Sequence, residues 1–335
     1  MDMTSVAKDS GTQRLVNRHK AGFFRRLGSQ WQLLLMSVPM LLYIFLFNYA
    51  PLWGWINAFR DISNERKTLI GFLHGDPAIP YGLNNFYNLF KPGAILFTGA
   101  IRNTIAMSLI NLVFGTVSAI LLAVLLNEVR QKAFKRTVQT VTYLPHFLNM
   151  VIVVGMAKII FDSNERVPGP LNSLLLSTGI VKTGPDWLGK PEYFWWIVGV
   201  INVWKEVGWG TIIYISAMTG IDPCLYEAAS IDGAGRLQRI LHVTLPGIRS
   251  TFVILLIMNI GHLLDTGFEI QYLLKSSGTQ QVAYTIDLYV MEYGTGKQID
   301  YGLATAAGIF KSVIAIILLT GANLISRKLS EESLM

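Results

Sequence analysis

The sequence predicts an all-α polytopic membrane protein with six transmembrane helices and both termini cytoplasmic, and three observations predict it. The chain of 335 residues is 52% hydrophobic and 15% charged, with mean hydropathy +0.43, where a soluble domain carries roughly 25% charged residues. Apolar runs of the ~20 residues that span a ~30 Å hydrocarbon core recur six times along it. The excess of basic side chains sits in alternate loops, as the retention of Lys and Arg on the cytoplasmic side requires.

Residues 1–30 form a basic tail carrying Lys8, Arg14, Arg18, Lys20, Arg25 and Arg26. The first span, Trp31 to Phe59, contains Pro39 and Pro51, which neighbouring helices and waters can accommodate. It is too long for a signal peptide and no small-residue cleavage site follows it, so it is expected to be retained. The second span runs from Thr98 to Asn127, the third from Val138 to Phe161, the fourth from Tyr193 to Met218, the fifth from Ile248 to Glu269 and the sixth from Tyr301 to Ile325. The inner segments hold 15 basic and 8 acidic residues, a net +7, while the opposite loops hold 11 of each. The outer loops, Gly71 to Pro92, Asp162 to Pro191 and Gln271 to Asp300, are long and rich in Gly, Pro and aromatics, and long ordered loops usually contact something.

The inner loop Ile221 to Pro246 is different from the short basic hairpin between spans two and three. Asp222 is placed to cap a helix whose first residue is Pro223. Leu225, Ala228, Ala229 and Ile231 follow at helical spacing, Gly233 and Gly235 interrupt, and Leu237, Ile240 and Leu241 begin a second apolar face. Two alanines after Glu227 permit close approach to a groove, with the carboxylate as anchor; an amphipathic helix lying on the bilayer fits the same residues.

This loop resembles the EAA loop of permease subunits in binding-protein-dependent ABC importers. Glu227, Ala228 and Ala229 are followed after three residues by Gly233, then after nine more by Val243, and then by Leu245 and Pro246. Val243 stands where the family pattern has Ile. Asp232, Gly233 and Ala234 are similar to the sugar-type version of the loop. So are Gly82 to Phe86, Asn103 and Thr104, Tyr143 to Pro145, and Gly169 to Asn172. The full-length form is similar to permeases for complex oligosaccharides and polysaccharide fragments in the maltose-permease-like family. The resemblance implies residues 31–335 as the six-span permease domain, in the cytoplasmic membrane of a prokaryote. It implies a second homologous permease, two cytoplasmic ATPase subunits and an extracytoplasmic solute-binding protein as partners. The chain has no G-x-x-x-x-G-K-[ST] loop. The fragment Gly294 to Lys297 has the wrong spacing and ends in Gln298, so ATP and Mg are expected on the partner ATPase, with no cofactor on this chain and no enzyme activity of its own.

Charges inside spans require partners or a water-filled cavity. Trp204, Lys205, Glu206 and Trp209 in span four offer rings for apolar sugar faces and charged groups for hydroxyls or carboxylates. Because adjacent helix positions lie ~100° apart, Lys205 and Glu206 are expected to find different partners. His262, Asp265 and Glu269 fall on one helical face of span five, expected to line the pathway or a subunit interface. Lys311 is expected as a packing partner, Arg102 as a snorkelling anchor and His146 as a packing residue at a kink. With a single cysteine, Cys224, there is no intramolecular disulfide and no Cys-based metal site. The basic residues flank spans instead of forming an aromatic-laced stripe, against nucleic-acid binding despite a pI near 9.4. The rival reading is an ion-gradient-driven secondary transporter, which inverted repeats with broken helices would favour.

Overall fold

A computed structural model describes residues 31–60, 82–91, 95–164, 166–296 and 299–330; the basic tail and much of the first outer loop lie outside the described residues. Every regular element described is helical. The chain divides into two compact units, residues 1–56 and 57–335. In the first, α1 (Trp31–Ile44) contains Pro39 and passes through a π-type segment, Phe45–Tyr49, into a 3₁₀ stretch, Ala50–Phe59. Its apolar side chains, Leu35 and Met36 among them, are exposed.

The second unit is built around two long helices, α3 (Ile95–Glu128) and α7 (Pro191–Thr219), preceded by α2 (Asn84–Phe90) and separated by α4 (Lys132–Tyr143), α5 (Met150–Ile160) and α6 (Pro170–Ser177). After α7 come α8 (Pro223–Ile231), α9 (Arg236–Arg239), α10 (Arg249–Gly261), α11 (Glu269–Leu274), α12 (Gln280–Ala283), α13 (Ile286–Thr295) and α14 (Tyr301–Ser330). α3 and α7 run side by side in the same direction: Gly199 of α7 meets Ile110 of α3, and Gly210 meets Ala119. Small residues let helix backbones approach closely where lipid supplies no hydrophobic drive. Thr211 reinforces the contact by donating to the Ala119 carbonyl (3.2 Å) as well as to Val207 in its own helix (2.7 Å). Three apolar clusters, each containing α3 residues, complete the core: Met107 with Val154 and Ile197, Phe97 with Tyr289 and Ala306, and Ala119 with Tyr214 and Ile248.

By length and composition three helices can cross a membrane, Trp31–Phe59, Ile95–Glu128 and Tyr301–Lys328, or up to five among the described residues if two bent pairs each count as one. α7, the expected fourth span, has 29 residues, about 44 Å at 1.5 Å per residue, but is not among these. Two expected spans follow a different path from the straight helix. In the third, α4 passes through a 3₁₀ turn, Leu144–Phe147, and turns by 106° into α5; Pro145 lacks the N–H that would continue the helix, and Asn149 caps α5 by accepting from Val151 N. The fifth bends by 59° near Ile248 and then stops at Gly261, short of the expected Glu269. His262 to Phe268 form an irregular turn containing Gly267 at φ +68. The shared helical face expected for His262, Asp265 and Glu269 is therefore absent, because the helix has ended and Glu269 opens α11.

Buried asparagines fasten the loops at the end where α3 and α7 begin. Asn103 donates to the carbonyls of Gln281 (2.7 Å) and Tyr284 (2.8 Å), while the neighbouring Thr104 hydroxyl accepts from Ile286 N (3.0 Å). Asn172 donates to Asp162 and Pro185 carbonyls and accepts from the Trp187 indole. Asn85 reaches the carbonyls of Ala58 (3.0 Å) and Arg60 (2.8 Å). A side-chain amide thus supplies what irregular backbone needs away from water. Burial and a hydrogen bond to Glu292 push the Tyr284 hydroxyl well above the usual phenol range, keeping it a donor to a carboxylate that Lys275 also engages.

Gly208 is the tightest helix contact: a Cβ there would lie 2.1 Å from the Thr142 carbonyl oxygen. Gly208→Ala is expected to destabilise the detergent-solubilised protein by about 1–3 kcal/mol, the cost of overpacking, read as a lowered thermal midpoint. Gly155→Ala, with nothing within 4 Å, should leave the midpoint within error of the parent.

Candidate functional site

Two places in the second unit combine exposure with chemistry. The first is the α8 loop. Asp222 caps α8 by accepting from Cys224 N (2.9 Å), and Pro223 occupies the first turn, where its missing N–H costs nothing. Gly233, at φ +80, ends the helix: the Ala234 N–H returns to the Ala229 carbonyl (2.9 Å), a reversal that favours a residue without Cβ. The Gln238 side chain accepts from Gly235 N (2.7 Å) to start α9. No residue of α8 is buried. Leu225, Ile231 and Leu237 are exposed, Ile231 to 86%, and Glu227 has no hydrogen-bond or ion-pair partner among the described residues. Ala228 and Ala229 leave the helix surface beside Glu227 low, while Asp232 and Gly233 mark its exposed end. Behind this surface Tyr226 and Thr244 share a hydrogen bond (3.0 Å), and Leu245 and Pro246 lead back to the core residue Ile248.

The second is a cavity of about 480 Å³ walled by α3, α7, α10 and the turn after α10. Its polar lining includes Asn111, Asn202 and Asn259 with Glu206, Asp265 and His262. Of the residues singled out from sequence, Glu206, Trp209, His262 and Asp265 meet here. Lys205 lies behind the wall, while Trp204 is exposed and outside the lining, as is Glu269.

Lys205 and Glu206 do not find separate partners as their helical positions imply; both converge on the turn at Pro145. Lys205 Nζ donates to the His146 carbonyl (2.8 Å) and to Glu206 (3.2 Å), while His146 Nδ1 lies 2.8 Å from the other Glu206 oxygen. The 3₁₀ turn frees the carbonyl that receives the buried ammonium. His146 also stacks on Trp209, centroids 4.7 Å apart and planes 7° apart. His146 is thus more than a packing residue, and its only signal in the sequence is its place after Pro145 in an apolar run.

Across the cavity His262 Nδ1 lies 2.9 Å from Asp265, whose other oxygen receives Lys311 of α14 at 2.6 Å; Lys311 also pairs with Asp287. One ammonium thus joins the end of α10 to α13 and α14. Arg102 lies 5.7 Å from the centre of the Trp195 ring, at the mouth of α3. Among the described residues no group of three or more His, Cys, Asp or Glu could hold a metal ion.

Lys311 is the least replaceable member of its triad, since its own side chain and that of Asp287 are 17% and 16% exposed while Asp265 is 51% exposed. Lys311→Met should cost roughly 3–5 kcal/mol by stranding a buried carboxylate, and Asp265→Asn about 1 kcal/mol or less. Thermal midpoints of the two variants in detergent check the order; equal losses would contradict the geometry.

Comparison with known proteins places this geometry among transporters. Residues 111–331 match the family model described as "Binding-protein-dependent transport system inner membrane component". The chain is similar to Protein LplB of Bacillus subtilis (strain 168), at 39% identity over 90% of each chain. It is also 39% identical to the polygalacturonan/rhamnogalacturonan transport system permease protein YteP of the same organism, over 92% of each chain. Among solved structures it superposes on a chain of a bacterial alginate ABC transporter crystallised with an alginate pentasaccharide-bound periplasmic protein. The TM-score is 0.81 at 34% identity, covering 93% of this chain and 99% of that one.

Proposed function

The chain belongs to the family of binding-protein-dependent transport system inner membrane components, and on that premise we propose that it is one permease subunit of an ATP-driven importer of oligosaccharides or polysaccharide fragments. It spans the cytoplasmic membrane of a prokaryote six times, with α7 as the polar, interior-lining span and both termini cytoplasmic. Residues 1–30 form the basic inner tail and residues 31–335 the permease domain. It contributes half of the pathway, the other half coming from a second homologous permease. Two cytoplasmic ABC ATPase subunits bind and hydrolyse ATP with Mg, and an extracytoplasmic binding protein delivers the glycan. The carbohydrate substrate is supported by the names of the relatives, and the binding protein by the complex solved for the alginate transporter.

The observation that carries the ATPase-coupling role is the exposed α8. A helix with no buried residue, apolar side chains in the open and a Glu227 without a partner among the described residues is shaped to complete itself in another protein's groove. Glu227 anchors it, Ala228 and Ala229 let it lie close, and Asp232, Gly233 and Ala234 turn the chain. Leu245 and Pro246 pass the displacement to α10. In the membrane-spanning part, Trp209, Glu206, His262 and Asp265 face the pathway, with Lys205 behind Glu206; Trp204 and Glu269 belong to the surface around it.

Glu227→Lys tests the coupling. Placing a cation where a carboxylate anchors the helix should lower recovery of the ATPase with the tagged chain by at least about 10-fold, since like-charge or unpaired contacts at an interface cost several kcal/mol, and should abolish uptake while insertion persists. Normal uptake by that variant sinks the docking role. Cys224, exposed and next to the Asp222 cap, provides the orientation test. A membrane-impermeant maleimide should label it in inverted vesicles and not in intact cells, and added ATPase subunits should protect it. Labelling from outside intact cells would reverse the proposed topology.

A further inference from the structure

We infer that the cavity between α3, α7 and α10 recognises an uncharged, hydroxyl-rich sugar residue, so that the importer's cargo is a neutral oligosaccharide and not a uronic acid chain. The inference rests on the carbohydrate-import reading above and narrows its substrate class.

Charge is the first ground. Among the described residues the lining contains two carboxylates, Glu206 and Asp265, and no lysine or arginine. The two ammonium groups nearby are committed elsewhere, Lys205 to the His146 carbonyl and Glu206, Lys311 to Asp265 and Asp287. Recognition of a carboxylate calls for charge-assisted donors, Arg above all, and like charges placed together select against a ligand. Carboxylates accept strongly from sugar hydroxyls.

Two orphaned polar atoms are the second ground. Gln271 Oε1 and Ser108 Oγ are buried and without a hydrogen-bond partner among the described residues, and both residues line the cavity. The Gln271 side chain, in a residue 1% exposed, has its nitrogen fixed toward two acceptors, the Thr266 carbonyl (3.5 Å) and the Met107 sulfur (3.8 Å). Its oxygen is therefore the end left open, and an amide oxygen needs a donor. A sugar hydroxyl provides one, whereas a carboxylate placed at that point has no proton to give.

Trp209 is the third. Its indole is covered on one face by His146 and is still 47% exposed while lining the cavity, so the second face is open. The electron-rich face attracts the positive C–H edges of a pyranose and repels an anion.

The test uses the complete importer, co-purified with its permease, ATPase and binding-protein partners and reconstituted in proteoliposomes. ATP-dependent uptake is measured for tritiated neutral tetraoses (gluco-, manno-, galacto- and xylo-) and for tetragalacturonate and tetramannuronate. At least one neutral tetraose should be taken up saturably, and both uronates at least about 10-fold more slowly, the low end of the discrimination an unsatisfied buried polar group imposes. Gln271→Leu should raise the half-saturating concentration for the neutral sugar, and Glu206→Gln should lower the uptake rate. Because either variant can be lost to misfolding, the parent's comparison of the two panels carries the test alone. Uptake of a uronate as fast as the best neutral sugar overturns the neutral assignment and leaves the import function standing. Neutral uptake untouched in both variants, with assembly intact, overturns the cavity as the site. ATP hydrolysis stimulated by the binding protein with no glycan of either panel taken up overturns the carbohydrate reading itself, and the inference with it.

Discussion

The close passage of α7 between α3 and the α4 turn governs what the rest of the second unit can be. Gly199, Gly208 and Gly210 bring α7 against Ile110, the Thr142 backbone and Ala119, and Thr211 adds a hydrogen bond across the same seam. In lipid, where helices gain little from hiding apolar surface, such contact rests on packing and on hydrogen bonds whose alternative partners are few. Two consequences follow. The polar edge of α7, with Asn202, Glu206 and Trp209, is held at a fixed distance from Asn111 and Ser108 of α3, which creates the cavity. The broken helix at Pro145 is pressed against α7, which brings a free carbonyl to Lys205.

The charges inside this packing are arranged so that ammonium groups are spent on the scaffold and acceptors are left toward the cavity. Lys205, 8% exposed, would be costly to bury alone; the His146 carbonyl and Glu206 compensate for it. Lys311 does the same work between α10, α13 and α14 through Asp265 and Asp287. A scaffold built this way keeps half-exposed carboxylates at the cavity surface while its cations are sequestered.

What the sequence made legible was whatever depended on neighbours in the chain. The α8 loop could be read closely because its signals are local: Asp222 before Pro223, alanines at close spacing, Gly233 where φ is positive. Apolar runs marked where the long helices α3, α7 and α14 lie but not the path between them. Pro145 marks a kink in the run Val138 to Phe161, but a turn of 106° over Leu144–Phe147 goes well beyond a kink and is seen only in the packing against α7. Span five ends at Gly261, inside the apolar run, and Gly261 lies so close to the Leu319 side chain of α14 that a Cβ there would not fit without displacing it, a long-range approach with no signal in local sequence. Asn85, Asn103 and Asn172 carried the family likeness, yet their role as staples of irregular backbone depends on carbonyls up to 181 positions away. Trp204 and Trp209 were indistinguishable by composition; five positions of helix place one outward and the other on the cavity.

The same framework joins α8 to the cavity by a chain of contacts. Tyr226 of α8 bonds to Thr244, which is 1% exposed and closes the π-type segment Ile240–Thr244. Gly247 rests on Ile221, and Ile248 is wedged into the cluster with Ala119 and Tyr214 of α3 and α7. The bend of 59° near Ile248 separates this anchored segment from α10, whose other end carries His262 and, through Asp265, the link to Lys311. Contacts alone do not transmit energy; a two-state element does. The bend is where such an element would sit: next to it Ile248 is anchored in the cluster with Ala119 and Tyr214, and beyond α10 Asp265 is tied to α14 through Lys311. The break at Gly261, inside the run expected to continue to Glu269, is what puts His262 and Asp265 on a turn that lines the cavity together with Glu206.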